Sequence, residues 1–141
     1  MKKAILLLCV LAMTSTFAAD KINVKGEKAK TLLKALVDVG LKHQGVEIVS
    51  YGATNIECSS VVHPDAVTTC SFTDYATDKE KTVANKTSAK ALRLALLQAG
   101  LKPVNPGALG RSRVEAYSVS CRTGFNMMSH KRIAPTCVIE E

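Results

Sequence analysis

A chain of 141 residues with a formal charge of +7 has room for one domain, or for two small halves sharing a core. Its 47% apolar and 22% charged content excludes a disordered chain, and the absence of Trp with only 4% aromatics makes any core aliphatic. The charge is too modest and too scattered to be a nucleic-acid signature, so no nucleic-acid partner is expected.

Lys2 and Lys3 precede an apolar run over residues 4–13, and small residues follow at 14–18. The run is too short to cross a bilayer, and the pattern is that of a secretory signal peptide occupying residues 1–18. Thr16 and Ala18 place the cut after Ala18, with Ala19 as the alternative. Cys9 lacks a preceding small residue and lies too early for lipid attachment. Removal leaves 123 residues, lowers the formal charge to +5, and predicts a secreted or periplasmic protein of bacterial type. No later segment is apolar for long enough to form a transmembrane helix.

The mature chain begins with a polar lead-in, 20–26, with a short strand at 22–24. A helix follows over 27–39: Ala29, Leu32, Leu33, Leu36 and Val37 form one stripe, and Gly40 supplies the left-handed stop. Residues 46–51 are β-branched and aromatic and predict a strand; 52–55 can turn; 55–59 alternates as a second strand. His63, Pro64 and Asp65 signal another turn before a third strand at 68–73. Residues 77–86 have the composition of a charged linker.

The helical stretch then returns. Residues 28–42 and 88–102 are identical at eight of fifteen positions, which points to an internal repeat. Thr87 or Ser88 can cap the second helix, 89–99, which ends on Gly100 and Leu101 as the first ends on Gly40 and Leu41. Pro103 and Pro106 weaken the next strand, which is shortened, shifted towards 108–112, or lost. Residues 113–122 alternate, with Tyr117, Val119 and Cys121 on one face. A long connection, 123–135, leads to a closing strand at 136–139. Cys58, Cys70, Cys121 and Cys137 form an even set in an oxidising compartment. Each repeat owns two of them, so the expected bridges are Cys58–Cys70 and Cys121–Cys137. The expected fold is α+β: tandem duplicated α-β-β-β units, 19–76 and 77–141, forming one compact domain. Two helices pack on an antiparallel sheet of five to six strands held by two disulfides.

No catalytic constellation emerges. His43, His63 and His130 lie in separate turns or loops, and no G-x-S-x-G, H-E-x-x-H or phosphate-binding glycine loop is present. Cysteine spacing does not suit a metal, so neither metal nor cofactor is expected. Binding residues are expected instead in the segment closed by Cys121 and Cys137. Phe125, Met127 and Met128 are adaptable apolar contacts, and His130, Lys131 and Arg132 make a basic rim. The competing expectation is that Phe125 and one Met fold inward. Leu94 replaces the Lys34 of the first helix, so it either packs centrally or faces a partner. Arg111 and Arg113 add positive charge near the second hairpin.

An exported pair of repeats, each with a helix (28–42, 88–102) and one disulfide, resembles the bacterial β-lactamase inhibitory proteins in architecture. It is more loosely similar to the PepSY-type modules of exported peptidase inhibitors. This chain departs in lacking Trp and in having shorter repeats, and no residue is carried over. The resemblance implies a non-enzymatic protein-binding module, with an inhibitor of an envelope or extracellular enzyme as one form. An envelope-associated structural protein that binds anionic surfaces is the alternative, and a small secreted hydrolase the third. The partner is an unidentified protein, and the chain is a monomer or homodimer.

Overall fold

The computed structural model describes residues 20–61, 67–84, 86–108, 111–126 and 128–141. Its two helices form where the apolar stripes lie. α1 (Glu27–Asp38) buries Ala29, Leu32, Ala35 and Leu36, and α2 (Thr87–Gln98) buries Ala89, Leu92, Ala95 and Leu96. Both end identically. Gly40 and Gly100 take φ of 96° and 118°, and the amides of Leu41 and Leu101 donate to the carbonyls of Leu36 and Leu96 at 3.4 and 3.2 Å. Each stop therefore tucks a leucine, Leu41 or Leu101, back into the core. The second N-terminus differs from expectation: Lys86 rather than Thr87 or Ser88 is the capping residue, Gly26 holds that place in α1, and neither helix has a side-chain cap.

Seven strands accompany them: β1 (Lys21–Lys25), β2 (Ile48–Val61), β3 (Val67–Asp74), β4 (Lys79–Ala84), β5 (Val104–Ala108), β6 (Arg111–Asn126) and β7 (Lys131–Glu140). Six lie in the antiparallel order β1-β7-β6-β2-β3-β4, and β5 pairs with the start of β6. The order has a mirrored logic: β2 and β6 run down the centre, the hairpins β2–β3 and β6–β7 flank it, and β1 and β4 are the edges. Cys58 faces Cys70 across one hairpin and Cys121 faces Cys137 across the other, and both pairs are disulfide-bonded as the cysteine spacing predicts.

The helices cross between the two halves of the chain. The Ala29 carbonyl oxygen of α1 lies 3.6 Å from Cys137 Sγ, and the Ala89 carbonyl oxygen of α2 lies 3.4 Å from Cys70 Sγ. Disulfide sulfur carries no hydrogen, so these are packing contacts. They explain why alanine stands at both positions, since each is fully buried with a bridge directly beneath it. Each helix thus covers the hairpin of the opposite half. Among the described residues, Phe72 is the one aromatic side chain in the buried core, and the rest is aliphatic or cystine.

Three sequence expectations change, and one, the third below, is narrowed to the first of its alternatives, a shortened strand. First, the 77–86 segment contains β4, an edge strand that turns Lys81 and Val83 towards the helix layer and leaves Glu80, Thr82 and Ala84 exposed. Second, residues 52–55 do not turn. β2 runs through them because β6 pairs with it from Ile48 to Val61. The local kink is absorbed by Asn55 (φ 52°) and a register shift against β3. Third, the proline-containing segment retains a short strand, β5, paired to β6 at Val104 and Ala108. Fourth, 123–135 is mostly not a connection: β6 continues to Asn126 and β7 starts at Lys131. Tyr117 also leaves the face it was assigned to. Buried positions on β6 shift phase from Val114 and Ala116 to Val119 and Cys121, leaving Tyr117 exposed.

Asp74 ends β3 and is completely buried. Its Oδ2 accepts the Lys42 amide at 3.1 Å and its Oδ1 the Ala76 amide at 3.0 Å. Lys81 Nζ lies 3.8 Å away and donates to the Gly40 carbonyl at 2.6 Å. The carboxylate therefore joins the segment after α1 to the β3–β4 turn by accepting one amide from each, while Lys81 satisfies the carbonyl of Gly40 at the helix stop.

Candidate docking surface

The end of the sheet where β2 begins carries two adjoining turns. Gln44 and Ser50 exchange backbone hydrogen bonds at 2.8 Å in both directions, closing a loop over the residues between them. Gly45 takes φ 90°, and a Cβ there would collide with the Ile48 carbonyl. Only glycine fits without strain. The β6–β7 turn lies alongside. The Phe125 amide donates to the Glu47 carbonyl at 3.3 Å, and Ile48 pairs with Gly124. A Cβ on Gly124 would sit 2.5 Å from the Glu47 oxygen and 3.1 Å from Ile48 Cα, so this close approach also depends on glycine. The Cys121–Cys137 bridge ties the two strands behind the turn.

These turns present apolar side chains to solvent. Val46 is 95% exposed, Met128 94%, Ile48 55% and Phe125 41%. The Phe125 ring has a tilted contact with His130, centroids 6.5 Å apart, and His130 holds a left-handed φ of 54°. Arg122, Lys131 and Arg132 are exposed around them. Contiguous exposed apolar groups rimmed by charge are the usual mark of an interaction surface.

The predicted contact residues fall in three places. Phe125, Met128, His130, Lys131 and Arg132 share the two-turn end, while Met127 lies outside the described residues. Leu94 is on the outer side of α2, 54% exposed. Arg111 and Arg113 lie at the opposite end of β6. Arg113 and Phe125 are separated along that strand by roughly 40 Å at the ordinary rise per residue. Arg113 is also engaged, with its guanidinium 3.4 Å from Glu115 and 4.0 Å from Glu57. Sequence reasoning missed Val46 and Ile48, which it placed in an ordinary strand. A glycine followed by an isolated valine among polar residues was the available signal.

His43 packs against the Tyr51 ring at 6.0 Å, away from His130, and His63 lies outside the described residues. Among the described residues, no group of three or more His, Cys, Asp or Glu side chains is placed to hold a metal ion. No helix among them is long and apolar enough to cross a membrane. The uncovered face of the sheet carries a groove of about 260 Å³ lined by Ser50, Gly52, Thr54, Tyr75, Ser118 and Ser120, among others. It is shallow and open, unlike an enclosed ligand site.

No protein-family model, curated protein or solved structure matches the chain.

Proposed function

We propose that this chain is an exported, non-enzymatic binding module that docks through the two-turn end of its sheet. The observation that supports this reading is the juxtaposition of Val46, Ile48, Phe125 and Met128, all solvent-exposed, on turns tied together by the Phe125–Glu47 hydrogen bond. The adjacent disulfide and the hydrogen bond between the turns reduce the conformational freedom lost on docking. A signal peptide at 1–18 accounts for how the two bridges form, since stable disulfides belong to oxidising compartments. Tandem duplication accounts for the repeated helix and for the mirrored order of strands about β2 and β6.

A protein partner is one form of this reading, including an envelope or extracellular enzyme that the module inhibits, because a projecting wedge suits a cleft. An anionic envelope surface is the other, and the surplus of exposed cations around the turns favours it. The docking end is tested by placing a photoreactive residue at Val46 or, as a control, at Arg111. Irradiation in the native exported fraction should give an adduct from position 46 and not from 111. Equal labelling from both, or none from 46, refutes the assignment of the site.

A further inference from the structure

Resting on that docking end, we propose that the surface it meets is an anionic phospholipid bilayer. Val46, Ile48, Phe125 and Met128 enter the boundary between headgroups and acyl chains, and the surrounding cations pair with lipid phosphates. Three observations carry this further than a protein cleft. The first is exposure: Val46 and Met128 are 95% and 94% exposed, on two turns at one end of the sheet. Projecting apolar tips of this kind can be immersed together without needing a shaped counterpart.

The second is charge placement. Across the uncovered face, Lys25 is paired in register with Thr136, Thr136 with Arg122, and Arg122 with Ser50. Lys25 and Arg122 therefore lie in one cross-strand row just behind the tips, and Lys131 and Arg132 lie beside the tips themselves. All four are exposed. Against them stands Glu47; Glu27, at the start of α1, already pairs with Lys30 at 3.4 Å. A row of cations one step behind apolar tips matches the depth of lipid phosphates above the acyl boundary.

The third is rigidity. The tips are held by backbone hydrogen bonds and a disulfide rather than by a helix that must fold on the membrane, so little ordering opposes insertion. Each cation near an anionic surface contributes roughly a fivefold gain in partitioning at low salt. Four of them give an expected preference on the order of a hundredfold or more for anionic over zwitterionic membranes, lost steeply as salt rises.

The chain contains no tryptophan, so a single introduced one reports cleanly. Val46→Trp in the disulfide-intact mature chain is mixed with vesicles of phosphatidylglycerol and phosphatidylcholine, or of phosphatidylcholine alone. The expected result is a blue-shifted emission and co-sedimentation with the anionic vesicles only. Leu94→Trp, on the helix layer, should stay at its aqueous emission. Paired Arg122→Gln and Arg132→Gln changes should weaken vesicle binding at least tenfold, and so should paired Val46→Ser and Met128→Ser. These positions are exposed, and circular dichroism confirms that each variant is folded. No binding to anionic vesicles, equal binding to both kinds, or a shift at Leu94→Trp overturns the proposal. If vesicles fail while the photoreactive residue at 46 labels a protein, the bilayer is wrong and the docking end stands. If both fail, both fall.

Discussion

Replacing Asp74 with alanine should destabilise the fold by about 2–3 kcal/mol. The side chain is completely buried and accepts two backbone amides, Lys42 at 3.1 Å and Ala76 at 3.0 Å. An amide left without an acceptor in a protein interior costs about 1–3 kcal/mol. Both donors are only partly buried, which puts each near the lower end of that range. Lys81 adds little: its side chain is 32% exposed, and it keeps its hydrogen bond to the Gly40 carbonyl. Asp74→Asn retains one acceptor oxygen and should cost about half as much. Lys81→Met removes the ion pair and the hydrogen bond to the Gly40 carbonyl, both made by a partly exposed side chain, and should cost about 1 kcal/mol. Urea unfolding measures all three. With a slope of about 1.5–2 kcal/mol per molar, Asp74→Ala should lower the midpoint by about 1–2 M. The reasoning is refuted if Lys81→Met is as damaging as Asp74→Ala, because the contacts of the lysine rather than amide acceptance by the carboxylate would then dominate. A loss below about 1 kcal/mol for Asp74→Ala refutes it equally.

Leu92→Ala should cost about 2–5 kcal/mol, since the side chain is fully buried, whereas Leu94→Ala two positions along should stay within about 0.5 kcal/mol; thermal or urea melts separate them. Replacing Cys121 and Cys137 together by alanine should cost about 3 kcal/mol on the chain-entropy account of a closure spanning 16 residues, measured by denaturation under non-reducing conditions. Non-reducing peptide mapping of the native protein should return Cys58–Cys70 and Cys121–Cys137 and no crossed pair. Gly124→Ala should push the two turns apart, with hydrogen exchange at the Phe125 amide accelerating more than at the β6 amides paired deep in the sheet.

Local chemistry made some of this architecture legible. The helices announced themselves through repeated apolar stripes and glycine stops, and Gly40 and Gly100 do what their positions imply. The bridges followed from assigning two cysteines to each repeat. The strands were harder, because a strand is stabilised by neighbours that lie far away in sequence. β4 is mostly polar and lies at an edge, so composition alone made it a linker. β2 passes through Gly52 to Asn55, a turn-like sequence, because β6 holds it on one side throughout. Residues 123–135 contain Gly124 and Pro135, yet strand pairing and the Cys121–Cys137 bridge extend the hairpin through most of them. The docking end was half visible. Phe125 and Met128 stood out as apolar residues among cations. Val46 and Ile48 did not, since nothing local says that the start of a strand projects beyond the helix layer that would have covered it.

The pairing of β1 with β7 brings the first and last strands of the described fold side by side, and the Glu141 amide donates to the Asp20 carbonyl at 3.1 Å. One edge of the sheet therefore cannot be completed until β7 is available to pair with β1. A nascent chain that lacks β7 has neither a partner for β1 nor the second bridge, and α1 has no cystine beneath Ala29. Such non-local closure makes completion of the sheet a late event in folding. The same adjacency makes the molecule a candidate for circular permutation. A short linker joining Glu141 to Asp20, with new ends opened at the exposed β3–β4 turn near Asp78, leaves every strand pair intact.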